Sequence, residues 1–241
     1  MTDSPLKKIS LIQELDLAVE TVKSGLSLVQ SIQPYRTPVF LIFLVLSTGL
    51  ERIMKIVLGM RLLTDEGRFL SRDELQRYGH NLRKLAEAVL DRCFNGEATT
   101  PPIRRDDYLY IRNDELLNTL LCQLSEFAVR DRYVYMNGIV EPESLGTWLG
   151  DRWGQIENVV IPPGEAVKYF QDGKEEEYKN WISLSLTICV EKLLGGLGRS
   201  ITLGDMNKEA NSAGTLLYDF VLIREKEFGA KKYELFGHTP I

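Results

Sequence analysis

A chain of 241 residues, 44% hydrophobic and 26% charged, can bury a full core, and its composition excludes a disordered or fibrous chain. With 29 Lys and Arg against 34 Asp and Glu the formal net charge is −5, which excludes a global basic field, so any nucleic-acid contact must use a local patch. The three cysteines, Cys93, Cys122 and Cys189, are far apart and odd in number, and with two histidines they offer no paired ligand spacing. The expectation is one domain over residues 1–241, cytoplasmic, with reduced buried thiols, no metal and no cofactor.

The N-terminus carries Asp3, Lys7 and Lys8 and lacks the apolar core and small-residue cleavage site of a signal peptide, so secretion is not expected. Leu11, Leu15, Ala18, Val22, Leu26 and Val29 recur at helical period and predict a first helix closed by Pro34. A short Tyr35–Pro38 link makes the second helix, roughly Pro38–Leu63, its antiparallel partner. The apolar run Val39–Leu46, continuing to Leu50, is too short for a bilayer, which needs about 20 residues, and no membrane partner is expected. It makes the first half of helix two the most buried element, while Ser47, Glu51 and Lys55 line one face at i,i+4 steps and Glu51 can pair with Lys55.

Thr64–Gly67 supplies a turn, and Ser71 with Glu74 forms a capping box that starts a third helix. Its stripe Leu75, Tyr78, Leu82, Leu85 and Val89 places His80 nearly opposite, beside Arg77, Arg83, Lys84, Glu87 and Asp91. Gly79 costs about 1 kcal/mol in a helix interior, which marks a close approach beside His80 or a tolerated glycine on a solvated face. After Phe94–Gly96 the Ala98–Pro102 stretch reads as a loop, and Asp106–Asp107 as solvated loop carboxylates. Asn113 or Asp114 caps a fourth helix with Leu117, Leu120, Leu121, Leu124 and Phe127 or Ala128 inward, ending in Arg130, Asp131, Arg132 and Tyr133, where the dipole favours cations.

Between residues 138 and 173 helical period is lost, so this stretch reads as a long irregular excursion, with Trp148 and Trp153 pinning it and Val159–Ile161 as a short strand. A fifth helix, about Glu175–Leu197, ends at Gly195, Gly196 and Gly198. These glycines lack both the preceding strand and the Lys-Ser/Thr pair of a phosphate loop. A sixth helix over Leu203–Leu222, capped by Thr202 or Asp205, and a loosely held tail from Lys231 complete an all-α bundle of about six helices. With His80 and His238 alone available, a hydrolase triad has almost no raw material.

Ser47–Lys55, Tyr78–Leu82 and Leu124–Ala128 leading to Arg132 and Tyr133 together resemble the HEPN superfamily of helical-bundle proteins. The resemblance spans roughly residues 10–137 plus the fifth helix. It implies dimerisation through helices and membership of a group of metal-independent ribonucleases, of toxin–antitoxin and phage-defence systems, and their non-catalytic relatives. The nuclease members carry an arginine and a histidine separated by four to six residues. Here Arg77 is too near His80, Arg72 too far, and Arg224 too distant from His238. Only Glu51 and Tyr78-Gly79-His80 match family-like positions. The leading expectation is therefore a non-catalytic homodimer that binds RNA or a nucleotide through His80, Arg77 and Arg83 and the Arg130, Arg132, Tyr133 helix end, with an antitoxin or defence protein as a further partner. The alternative is a ribonuclease with a rearranged site, in which His80 moves the proton, Arg77 steadies phosphorane charge and Glu51 orients the imidazole.

Overall fold

Glycine lets the first two helices meet at their backbones. In the computed structural model of the chain, which describes residues 5–33, 36–94, 100–133, 139 and 148–234, α1 (Pro5–Gln30) packs on α2 (Val39–Glu66). A Cβ at Gly25 would lie 2.5 Å from Leu46 Cδ2, and one at Gly49 would lie 3.0 Å from the Val22 nitrogen and 3.2 Å from the Ala18 carbonyl. Pairing 25 with 46 and 49 with 22 makes the helices antiparallel, as the short link requires. Leu15, Val22 and Leu26 are buried on one side, and Ile42, Leu46, Leu50 and Ile53 on the other. Burial on α2 is denser in its second half, from Ile53 to Leu63, than in the first, which the apolar run predicts as the most buried and where Leu41 is 48% exposed. The helix runs through Thr64 to Glu66 and stops at Gly67, whose φ of +66° gives a left-handed cap.

The remaining elements are α3 (Arg72–Tyr78), α4 (Leu82–Cys93), α5 (Pro102–Asn113), α6 (Glu115–Glu126) and a π-turn over Phe127–Asp131. Then come α7 (Leu149–Val160), α8 (Pro163–Gln171), α9 (Glu175–Thr202), α10 (Lys208–Gly214) and the single turn α11 (Tyr218–Val221). Among the described residues there is no strand, and ten α-helices have seven residues or more, so the all-α class holds while the count of six is too low. The extra helices come from three places where charge, proline or glycine hides the period.

Pro102 occupies the first helical position, where its missing N–H costs nothing, and α5 replaces the expected loop. Its inward face is Arg104, Asp107, Tyr108 and Ile111. Asp107 is thus not a solvated carboxylate: it takes Arg199 Nε at 2.7 Å and Nη2 at 2.6 Å, with both side chains buried. Arg104 donates to the carbonyls of Cys93, Thr100 and Leu203, joining the C-terminal ends of α4 and α9, where helix dipoles favour a cation.

Residues 148–173 form α7 and α8 rather than an irregular stretch, and Val159 and Val160 close α7 instead of forming a strand. Residues 134–138 and 140–147 lie outside the described residues. Trp153 is buried 6.2 Å from Phe43 and pins α7 to α2, whereas Trp148 is 69% exposed and pins little. Nor do Gly195, Gly196 and Gly198 end the fifth predicted helix. They sit inside α9, where a Cβ at 196 would lie 3.3 Å from the Asp107 Cβ and one at 198 would run into the Val221 side chain. α9 is long and apolar enough to cross a bilayer, and 67% of its apolar window is buried in the fold.

The expected sixth helix is divided. Leu203–Asp205 turns, with Asp205 at φ +54°, and Asn207 caps α10 through the Ala210 N–H. The start of the tail is tied down: Tyr233 donates its N–H to Gln30 and its hydroxyl to the buried Glu191, which also accepts the Gly229 N–H. Burial pushes the Glu191 carboxyl above the usual carboxylate range. Residues 235–241, including His238, lie outside the described residues. Cys93 and Cys189 are buried free thiols pushed up to about 12 by desolvation, which removes them as thiolates at neutral pH, while Cys122 is partly exposed.

Candidate functional site

The Ser71–Glu74 capping box forms as expected, with Glu74 accepting the Ser71 N–H at 2.8 Å and Ser71 accepting the Glu74 N–H at 3.2 Å. The helix it starts does not continue through His80. Gly79 takes φ +53° and ψ −130°, a backbone that favours glycine, and Asn81 opens α4 by accepting the Lys84 N–H at 3.0 Å. Gly79 therefore ends one helix and permits the next, and His80 stands in the turn between them.

The polar stripe of α2 receives that turn. Lys55 Nζ donates to Glu51 at 2.6 Å and to the Gly79 carbonyl at 2.8 Å, so one ammonium fixes both the carboxylate and the peptide ahead of His80. The second Glu51 oxygen lies 2.8 Å from His80 Nδ1. Glu51 and Lys55 are 12% and 17% exposed, while His80 is 52% exposed. With Nδ1 directed to the carboxylate, Nε2 is the ring nitrogen left to accept or donate a hydrogen bond.

A second cation comes to the same face from the other side. The π-turn closes when Arg132 N–H bonds the Phe127 carbonyl at 2.9 Å, and Arg132 Nη2 donates to Thr48 Oγ1 at 2.9 Å. Thr48 lies three residues before Glu51, roughly 5 Å along the axis, so the residues that Arg132 and His80 bond to are about one turn apart on α2. Among the described residues Arg132 has no carboxylate partner and its buried Nε–H has no acceptor. Arg83 heads the first turn of α4, its N–H 3.3 Å from Ser125 Oγ, which brings the positive end of that helix beside the π-turn.

The structure thus brings His80 to Glu51 and Arg132 to Thr48 one turn back on α2, while Arg83 is tied to Ser125 through its backbone only. Arg77 is exposed in the last turn of α3, unpaired among the described residues and engaged with neither Glu51 nor His80. Arg130 points outward, with Glu126 at 3.3 Å, and Tyr133 is 65% exposed. Thr48 and the reach of Lys55 to Gly79 were missed by sequence reasoning. The only available signal was the continuation of the Glu51–Lys55 stripe one turn back. Among the described residues no cluster of His, Cys, Asp and Glu could hold a metal ion. No family model, no curated protein and no solved structure matches the chain.

Proposed function

We propose that the protein is a non-catalytic, HEPN-like helical module that self-associates and binds RNA or a nucleotide by its phosphate at the His80–Arg132 face. One observation carries this reading: a guanidinium without a carboxylate among the described residues, its Nε–H buried and unpartnered, is bonded one helical turn from the carboxylate that holds an imidazole, whose outer nitrogen has no partner among those residues. An anion supplies what that guanidinium lacks, and phosphate accepts from both groups. Arg77 and Arg83 are exposed cations on the helices either side of the His80 turn, and exposed Tyr133 offers a face on which a base can stack.

His80→Ala tests the reading against a purely structural role for the histidine. The side chain is half exposed and Glu51 keeps Lys55 as a partner, so stability should change by no more than about 0.5 kcal/mol. In the same preparations, binding of a labelled single-stranded oligoribonucleotide or of ATP should weaken and should fall with added salt. A loss of about 1–3 kcal/mol with binding intact would identify a structural histidine.

Self-association is supported by the outer side of α1, where Leu6, Ile9, Ile12 and Leu17 are 73%, 51%, 44% and 49% exposed. The dimer is expected in sedimentation equilibrium at tens of micromolar, well above usual dimer dissociation constants, and a single 27.5 kDa species there would refute it.

A second reading, a metal-independent endoribonuclease of toxin–antitoxin or phage-defence type, is favoured by the Glu51 carboxylate held on Nδ1, which leaves Nε2 to move a proton. RNA cleavage that persists in chelator and disappears in His80→Ala would decide for it.

A further inference from the structure

The placement of Arg132 depends on a network that lies behind it. Asp131, the last residue of the π-turn, is 2% exposed and is ion-paired with Arg152 Nε of α7, itself 6% exposed. Arg152 Nη1 reaches Gln123 Oε1 at 3.2 Å, and Gln123 Nε2 donates to Gln155 Oε1 at 2.7 Å. Gln123 precedes the π-turn on α6 and Asp131 ends it, so one guanidinium from α7 ties the turn across its two ends. Apolar side chains would fill this space at least as favourably, since desolvation of a buried ion pair offsets much of its attraction. What the pair provides instead is direction, through hydrogen bonds at fixed angles on both sides of a turn whose wide geometry is rare in helices.

We propose that Arg152 and Asp131 are positioning residues for the anion site: by holding the π-turn at both ends they set the Arg132 guanidinium against Thr48, one turn from His80. The purpose of this device rests on the binding reading above, but its mechanical part does not. The Arg132 N–H closes the π-turn on Phe127 while its side chain crosses to α2, so a change in the turn moves the guanidinium directly.

The test replaces the pair by an apolar one, Asp131→Leu/Arg152→Met, a substitution that commonly preserves or raises stability at buried ion pairs. Gln123→Met, which removes one arm only, is the milder second variant should the first fail to fold. Two measurements are made on each folded variant and on Ile156→Val, a control on the inner face of α7. By nitrogen-15 NMR, proton exchange at the Arg132 Nε–H should be slow in the wild type and in the control. It should quicken at least tenfold in the pair variant and less in Gln123→Met. By fluorescence anisotropy with a labelled single-stranded oligoribonucleotide, the pair variant should bind at least tenfold more weakly. The combination with Arg132→Ala should then be no weaker than Arg132→Ala alone. Unchanged exchange at Arg132 in the pair variant overturns the inference, as does unchanged binding where Arg132→Ala has lost it. A wild type that fails to bind the oligoribonucleotide refutes the binding reading alone, since the exchange measurement still decides whether Arg152 holds Arg132.

Discussion

Asp107→Ala is expected to destabilise the protein by about 3–5 kcal/mol, because it leaves Arg199 charged, buried and without its carboxylate. The pair is bidentate, at 2.7 and 2.6 Å, with side chains 8% and 9% exposed, so solvent cannot replace the lost partner. The remaining Arg199 contact, Nη1 to the Val221 carbonyl at 3.3 Å, is long. Gly196 is part of the same arrangement, since α5 and α9 approach until a Cβ there would press on Asp107. Urea denaturation of Asp107→Ala and of Asp107→Leu/Arg199→Met measures the effect. The double variant should recover most of the loss, because the cost belongs to the orphaned cation rather than to the missing bond. A loss below about 1 kcal/mol in the single variant would show that water reaches Arg199, as at an exposed pair.

Asp107 also shows why part of this fold could not be read from its sequence. Residues 104, 107, 108 and 111 follow a helical stripe, but two of the four are charged, and a search for apolar period passes over a stripe whose carboxylate is paired with a residue 92 positions away and whose guanidinium is satisfied by backbone carbonyls. The α9 glycines misled for a related reason. Three glycines near the end of an apolar run read as a stop, whereas here they make room for Asp107, Phe220, Val221 and Leu217 of other elements. By contrast α1, α2 and α6 carry uninterrupted aliphatic stripes, and the expected inward residues Leu15, Val22, Leu50, Leu117, Leu120 and Leu124 are all buried.

The site was legible in its members more than in its geometry. Glu51, His80 and Arg132 were each visible as polar residues in helical surroundings, and Glu51 was assigned to His80 on the alternative reading alone. The break at Gly79 had a local signal, since Asn81 is an N-cap type of residue two positions after a glycine, and as a result Leu75, which a continuous helix would bury, is 38% exposed. The Thr48–Arg132 contact spans 84 positions and rests on a π-turn, for which the sequence offers no comparable mark.

Phe127→Ala should be the second large effect, about 3–5 kcal/mol, the usual range for a buried phenylalanine cut to alanine. Phe127 has no exposed surface, and its ring meets Phe40 and Phe43 edge-on at centroid distances of 5.5 and 5.6 Å, which joins the π-turn to the first half of α2. It also begins the π-turn, and its carbonyl receives the Arg132 N–H. Loss of the ring therefore removes core area and loosens the turn that carries the guanidinium. Thermal or urea denaturation gives the stability loss, and Phe127→Leu, which fills more of the space, should lose less. If the alanine variant stayed within about 1 kcal/mol of the wild type, neighbouring side chains would have closed the cavity, and the aromatic contact could not be what holds the π-turn to α2.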